Sequence, residues 1–554
     1  MTATTHTPPT SAASQAVDSG AGDADASPLR PGWLTDRRLA SLTRWVARPV
    51  SGRTAGESEG AATTTAVAPY DAKPTAPVPA GTTGDVAAAV AAARRVQPDW
   101  AALSVPARAA GLHRFHDLLV ERQDEVMDLI QWEMGKARFH AWQEVLQVAN
   151  IARHYARQGA SYLADHKVRG AIPGVTKVRE VRVPKGVVGI ISPWNYPFYL
   201  GIGDALPALL AGNAVVGKAD PQTPLTLLWA RALMAEAGLP EHVWQVVTGP
   251  GAAIGEALID HVDYIAFTGS TATGRLVAER AARRLIGASL ELGGKNPLIV
   301  RADADLAQAA RGTVAAAFAN TGQMCIHIER VIVHTDVYDD FREALLAATS
   351  SQRLAQTFDL SADVGSLASQ AQLDKVSQHV EDAVAKGATV LAGGRPRPDV
   401  GPFVYAPTVL EGVTEEMDLC LGETFGPVVA LYRASDDEDA LRIANQGTAG
   451  LSASVFSKDL TAADALARRI RAGSVNINDG ASIAAGSVEA GMGGVGDSGL
   501  GKRHGGEGIR RFTDSQTVAM SRMGPLGPPP GMALERFVAI GNAQLRALRR
   551  LKVR

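Results

Sequence analysis

The stretch from residue 213 to 285 most constrains the fold. Short Val/Ile-rich runs alternate there with helix-forming segments: NAVVGK, PLTLLWARALMAEAG, WQVVTG, AAIGEALI, YIAFTGS and TGRLVAERAARRL. Parallel strands cannot be joined by a tight turn, so this alternation predicts right-handed crossovers and a doubly wound α/β sheet. Such a sheet takes ligands beyond the carboxyl ends of its strands. A second α/β run, from Asn296 to about Thr513, predicts a second domain and a cleft between the two.

The flanking segments differ. Residues 1–30 are rich in Ala, Thr, Ser, Asp and Pro and predict disorder, because they can bury too little apolar surface to offset ordering. A short amphipathic piece spans Trp33–Val50. A helix is predicted to start near Asp85, and a longer one after Ser104, with Pro106 in its first turn and Gly135 ending it. VTKVREVRVPKGVVGII, from Val175 to Ile191, alternates and then becomes a buried β run. After Met523, GPLGPPPG reads as a linker, and Met532–Arg554 as a basic amphipathic helix. Docking on its own protein is the favoured reading of that helix. Attachment to a membrane surface is the alternative, with Phe537, Val538, Ile540, Leu545, Leu548 and Leu551 on one face.

Net charge is -2 over 554 residues, which excludes a general attraction to nucleic acid. The two cysteines, Cys325 and Cys420, form no disulfide framework, and no Cys/His spacing suggests a metal. No secretory signal and no bilayer-length apolar run are visible, so a cytoplasmic location is expected.

Three segments carry chemistry. In Asn320-Thr-Gly-Gln-Met-Cys325 the residues around the cysteine are poor strand and helix formers, which predicts a shaped loop. A lone cysteine is more often inert core, but a thiol there could attack a carbonyl if activated. In Ser289-Leu-Glu-Leu-Gly-Gly-Lys-Asn296, Glu291 stands in an apolar strand. Such a carboxylate is usually solvated or ion-paired, yet burial would raise its pKa toward what a general base needs. Pro193-Trp-Asn-Tyr-Pro197 is a rigid turn at a strand end, and Asn195 offers the amide donor that an oxyanion requires.

With Lys218, Phe267-Thr-Gly-Ser270 and Glu423-Thr-Phe-Gly-Pro427 in the same order, the chain from about 62 to 524 resembles the aldehyde dehydrogenase superfamily. The resemblance implies two doubly wound α/β domains plus a small β oligomerisation element. Residues 62–170 and 185–293 would bind NAD(P), 294–509 would form the catalytic domain, and 171–184 with 510–524 the oligomerisation strands. Residues 1–61 would be a disordered or extended lead and 525–554 a basic tail. It further implies Cys325 as nucleophile, Glu291 as the base for thioester hydrolysis, and Asn195 as oxyanion donor. Trp194, Lys218, Gly249, Gly269, Ser270, Glu423 and Phe425 would bind the cofactor, with no metal. A homodimer or tetramer is expected.

Within the superfamily the match looks closest to succinate-semialdehyde dehydrogenases of actinobacteria. Pro221 stands where relatives that prefer NAD often carry a glutamate, so NADP is favoured over NAD, with Asp220 as the counter-argument. Two arginines that hold the distal carboxylate in other succinate-semialdehyde enzymes are replaced by Gly203 and Ala319. Arg330, His327 or Arg503 would have to supply the cation, Arg503 itself standing where many relatives carry glutamate. Medium-chain, aromatic or lipid aldehydes are the alternative substrates. Phe198 and Tyr199 would then line the tunnel, unless they are plain core.

Overall fold

The computed structural model describes residues 27–47, 62–170, 175–522, 524 and 527–550. Expectations for residues 1–26 and 48–61 lie outside these. The chain divides into two units, Met1–Tyr162 with Pro184–Thr513, and Leu163–Val183 with Asp514–Arg554.

The larger unit contains two mostly parallel sheets. In the first, the order is Gly499–Leu500, Gly287–Glu291, Tyr264–Thr268, Val187–Ile191, Ala214–Lys218, Trp244–Val247, with only Gly499–Leu500 antiparallel. The strand order reverses between Val187–Ile191 and Tyr264–Thr268, which opens a crevice beyond their carboxyl ends. Both strands are short, Val/Ile-rich or aromatic and buried almost throughout, as a sheet covered on both faces requires. The second sheet runs Thr389–Ala392, Thr408–Glu411, Val428–Ala434, Ile328–His334, Asn296–Val300, Ser452–Phe456, Ser474–Ile477. Only Thr389–Ala392 pairs antiparallel. These are the two α/β layers that the alternating sequence predicts.

Local signals shift some boundaries. The helix expected near Asp85 is Thr83–Ala102, with Thr82 as N-cap and Asp85 closing a capping box. The single helix expected after Ser104 divides at Arg122 into Val105–Glu121 and Gln123–Met134, and Gly135 ends it at φ 79°. The segment expected to be disordered or extended is ordered where it is described. Helix Asp36–Thr43 forms, Leu34, Leu42 and Val46 are buried, and Val46 bridges Val246 at the edge of the first sheet. Its few apolar side chains suffice because Val46 joins the sheet edge and helix Asp36–Thr43 packs on helix Pro224–Glu236, partners that composition does not reveal.

The smaller unit is a three-stranded sheet ordered Thr513–Ser521, Thr176–Pro184, His166–Val168, followed by helix Leu534–Arg550. That helix exposes Phe537, Val538, Ile540 and Leu545. No helix among the described residues is long and apolar enough to cross a membrane.

Candidate active site

Three carboxyl ends of the first sheet carry five of the expected residues. Val187–Ile191 runs into the turn with Trp194 and Asn195, Tyr264–Thr268 into Gly269 and Ser270, and Gly287–Glu291 ends on Glu291 itself. Glu291 is paired in register with Thr268, and Gly269 N–H donates to the Glu291 carbonyl at 3.1 Å. Cys325 comes from the other sheet, in the loop before strand Ile328–His334.

That loop is bent against normal backbone preference. Asn320, Thr321 and Gly322 follow one another at φ 51°, 57° and 72°. Left-handed backbone at a β-branched residue is unfavourable, so surrounding contacts must hold it. A Cβ on Gly322 would overlap the Gly426 carbonyl, which leaves glycine alone at that position. Asn320 Nδ2 donates to the carbonyls of Asn195 at 3.1 Å and Gln323 at 2.9 Å. Gln323 donates to Ser366 O at 3.3 Å and accepts from Ala368 N–H at 2.9 Å. Asn296 Nδ2 donates to the carbonyls of Cys325 and His327, both at 2.8 Å.

Two buried ion pairs brace the site, and sequence reading missed both. Lys136 Nζ donates to Glu144 at 2.5 Å and to the Asn195 carbonyl at 2.7 Å. The same Glu144 carboxylate accepts the N–H groups of Phe198 and Tyr199. On the other side, Glu329 accepts from Lys295 and from the N–H groups of Thr424 and Phe425, and faces His327 Nε2 at 2.8 Å. Burial works against the Glu329 carboxylate, but Lys295 and His327 hold it well below the usual carboxylate range. Lys136 and Glu144 stand eight residues apart at the start of a polar-looking helix. Only the pairing of lysine with a two-turn-distant glutamate hinted at them.

The reactive groups titrate as their surroundings dictate. Glu291 is buried, and burial pushes its carboxyl up to about 7 against the pull of Arg503 and Arg511. Its Oε1 has no hydrogen-bond partner among the described residues and lies 3.9 Å from Arg503 Nε, itself without one. Arg503 is held by Thr268 Oγ1 at 2.8 Å and Asp204 at 3.5 Å. Half-buried Cys325 has its thiol pushed up to about 12 by burial; Arg503 opposes this and the carboxylates of Glu423 and Glu291 add to it. The thiol is therefore protonated at rest, and a nearby base is needed to make it nucleophilic.

The remaining expectations fall out unevenly. Asn195 is buried beside the cysteine loop, and its amide donates to the Gln323 carbonyl at 3.0 Å, leaving one N–H for an incoming oxygen. Phe425, at φ 58°, stands edge-on to Trp194, with ring centroids 5.6 Å apart. Glu423 accepts from Gly294 N–H at 3.2 Å. Lys218 is buried with its ammonium 3.1 Å from the Ala219 carbonyl. Ser270 caps helix Thr271–Arg283, and Gly249 turns at φ 118° just before helix Gly251–His261. Asp220 accepts the Gln222 backbone N–H at 2.9 Å.

Three substrate-side expectations are corrected. Phe198 is fully buried against Trp229, 6.0 Å between centroids, and is core. His327 is fully buried behind the cysteine loop and turned to Glu329, so it faces no open space. Arg330 spends its guanidinium on the carbonyls of Lys295, Ile443 and Ala444. Tyr199 does approach the cluster, its hydroxyl 3.1 Å from His504 Nε2 and its ring beneath Arg503. Of the three cations considered, Arg503 alone stands beside Glu291.

The arrangement is a thiol, a buried carboxylate of raised pKa and a free amide donor at the end of a sheet suited to a dinucleotide. The sequence profile of the Aldehyde dehydrogenase family matches residues 56–518. A protein of Mycolicibacterium smegmatis, provisionally named a succinate-semialdehyde dehydrogenase [NADP(+)], is 50% identical over 474 residues, covering 86% of this chain and 92% of that one. An alpha-ketoglutaric semialdehyde dehydrogenase of Bacillus subtilis is 36% identical over 439 residues, covering 78% and 88%. The crystal structure of a succinate-semialdehyde dehydrogenase from Burkholderia pseudomallei superposes with a TM-score of 0.82 at 33% identity, covering 87% and 98%.

Proposed function

The chain belongs to the aldehyde dehydrogenase family, and from that premise we propose that it oxidises succinate semialdehyde to succinate with NADP+. The observation that carries the chemistry is Cys325 on its left-handed loop, within electrostatic reach of a Glu291 whose carboxyl is pushed up to about 7 by burial. Cys325 Sγ attacks the aldehyde carbon while Glu291 takes the thiol proton. The new oxyanion is met by the spare N–H of Asn195 and by the Cys325 backbone. A bound nicotinamide would supply the hydride acceptor, so that the adduct carbon loses its hydrogen with two electrons and becomes a thioester. Glu291, once its first proton has passed to solvent, draws a proton from water; the hydroxide displaces the thiolate, which takes that proton back as the acid is released.

The residues available suit such a cofactor. Lys218 and the Ser270-capped helix N-terminus suit its ribose and pyrophosphate. Glu423, accepting from Gly294 N–H, and Phe425, whose N–H is held by Glu329, suit the nicotinamide end. Preference for NADP+ rests on Pro221, which leaves no glutamate to repel a 2′-phosphate, and on Asp220 being engaged by its own turn. The names of the mycobacterial relatives agree with this choice. Arg503 is the cation for the distal carboxylate of the substrate.

Self-association is proposed through the edge strand Thr513–Ser521, whose side chains are largely exposed. A cytoplasmic location completes the reading.

The test is steady-state oxidation of succinate semialdehyde, hexanal and benzaldehyde with each cofactor, followed at the nicotinamide absorbance. The best substrate should be the semialdehyde. Arg503→Met should raise its KM and leave that of hexanal in place. Equal KM changes for both would refute the role of Arg503, and no preference for the semialdehyde would refute the substrate.

A further inference from the structure

A second cavity, of about 220 Å³, lies away from Cys325 at the start of the edge strand Trp244–Val247. It is walled by Arg44, Trp45 and Val46 on one side, Ala88 and Ala92 of helix Thr83–Ala102 on another, and Arg231 with Trp244 beneath. The Arg44–Ala47 wall precedes the matched family residues 56–518. It is fastened to the sheet by the Val46–Val246 bridge and by Ala47 N–H donating to the Val246 carbonyl at 2.8 Å.

Arg231 Nε donates to the Trp244 carbonyl, and the buried, unpartnered polar atoms on the residues lining this cavity are of one kind. Arg231 and Trp244 are each only 1% exposed. Arg231 Nη1, Trp244 Nε1 and Trp45 Nε1 are all buried, and none has a hydrogen-bond partner among the described residues. All three are donors. Buried donors are rarely left unpaired, and three on one cavity call for an acceptor inside it.

Charge points the same way. The guanidinium of Arg231 lies 4.0 Å from the centre of the Trp45 ring and that of Arg44 lies 4.9 Å from it, so two cations share one indole. Burial lowers the Arg231 pKa to about 10; Glu241 opposes this, and the like charge of Arg44 adds to it. Glu241 is exposed at the rim, and His242 is occupied by Gln245 at 2.7 Å. The remaining wall, Val46, Ala47, Ala88, Ala89 and Ala92, is apolar.

We propose that this cavity is a binding site for a small oxyanion, a carboxylate or phosphate, held by Arg231, Arg44 and the two indole N–H groups. The volume exceeds the roughly 150 Å³ that accommodates benzene, so a benzoate-sized anion fits. Occupancy ties the Arg44–Ala47 segment to the sheet edge and raises thermal stability by mass action.

The experiment is calorimetry on the full chain with sodium benzoate, inorganic phosphate and, as an uncharged control, benzamide. Saturable binding of an anion is expected, with none of benzamide. Ala88→Leu, at a half-exposed position, fills the cavity without touching the fold or the aldehyde site. It should weaken the anion about tenfold or more and leave aldehyde turnover unchanged, and Arg231→Gln should weaken it similarly. No saturable heat with either anion overturns the proposal. So does equal affinity in Ala88→Leu, or a crystal structure grown with benzoate in which water or a side chain of this chain occupies the cavity.

Discussion

Asn320, Thr321 and Gly322 hold left-handed backbone next to Cys325, whereas Val187–Ile191 and Tyr264–Thr268 run as regular parallel strands into the turns on the cofactor side. The first region is kept in shape by tertiary partners: Asn195, Ser366, Ala368 and Asn296 all bond into it. The second needs little beyond local rules, with strand ends, a serine cap and Gly249 supplying its geometry. A pocket for a dinucleotide can be built from generic strand–turn–helix units. A thiol that must meet an aldehyde at a fixed angle needs a conformation that the chain would not adopt alone.

The largest effect should come from the thiol itself. Cys325→Ala is expected to lower turnover by about a thousandfold or more while cofactor still binds, measured by steady-state rates and cofactor fluorescence. Retained turnover would reduce the cysteine loop to scaffold. Glu291→Gln should cost about a hundredfold or more in steady state, because thioester hydrolysis loses its base. Because the same carboxylate takes the thiol proton, the burst of reduced cofactor should slow as well, and a burst at the unaltered rate would confine Glu291 to thioester hydrolysis.

On the cofactor side, Pro221→Glu should weaken NADP+ about tenfold relative to NAD+, by setting a carboxylate against the 2′-phosphate. An unchanged ratio of the two KM values would mean that Pro221 does not face the ribose. The pH profile links the two sides. Glu291 is pushed up to about 7 and acts as base only when ionised, so kcat should fall as pH drops through 7. Arg503 favours the ionised form, and Arg503→Met should therefore move the inflection to higher pH. A profile that stays in place would separate Arg503 from Glu291.

The smallest effect tests the contrast most finely. Thr321→Gly removes the left-handed penalty, about 1 kcal/mol, and should raise the melting temperature slightly. A destabilised variant would mean that the Thr321 side chain, fully buried, contributes more by packing than its backbone costs.

Legibility in the sequence followed the same division. The two sheets were readable because parallel strands buried on both faces leave continuous apolar runs. Glu291 stood out as a carboxylate in such a run, and Asn195 as an amide between two prolines. Lys136, Glu144, Lys295 and Glu329 were not readable, since an ion pair, whether eight residues apart or thirty-four, looks like ordinary surface charge until the fold closes over it. Phe198 and His327 were misplaced for a related reason. One residue along a short helix or strand separates the face toward the cleft from the face toward the core, and Phe198 found Trp229 while His327 found Glu329. The amphipathic piece around Trp33–Ala47 was visible, but not what it packs on, because its partner, the edge strand Trp244–Val247, lies some two hundred residues away.

The sequence alone therefore determined the α/β class, which is written in local pattern, and through its resemblance to a family it nominated Cys325, Glu291 and Asn195 as thiol, base and amide. Tertiary structure decided which charges face Glu291 and Cys325, and so their pKa values, because burial and distance across the chain set those. It also decided that Arg503, rather than His327 or Arg330, stands beside the base, and that Arg231, Trp45 and Trp244 gather their donors around a second cavity.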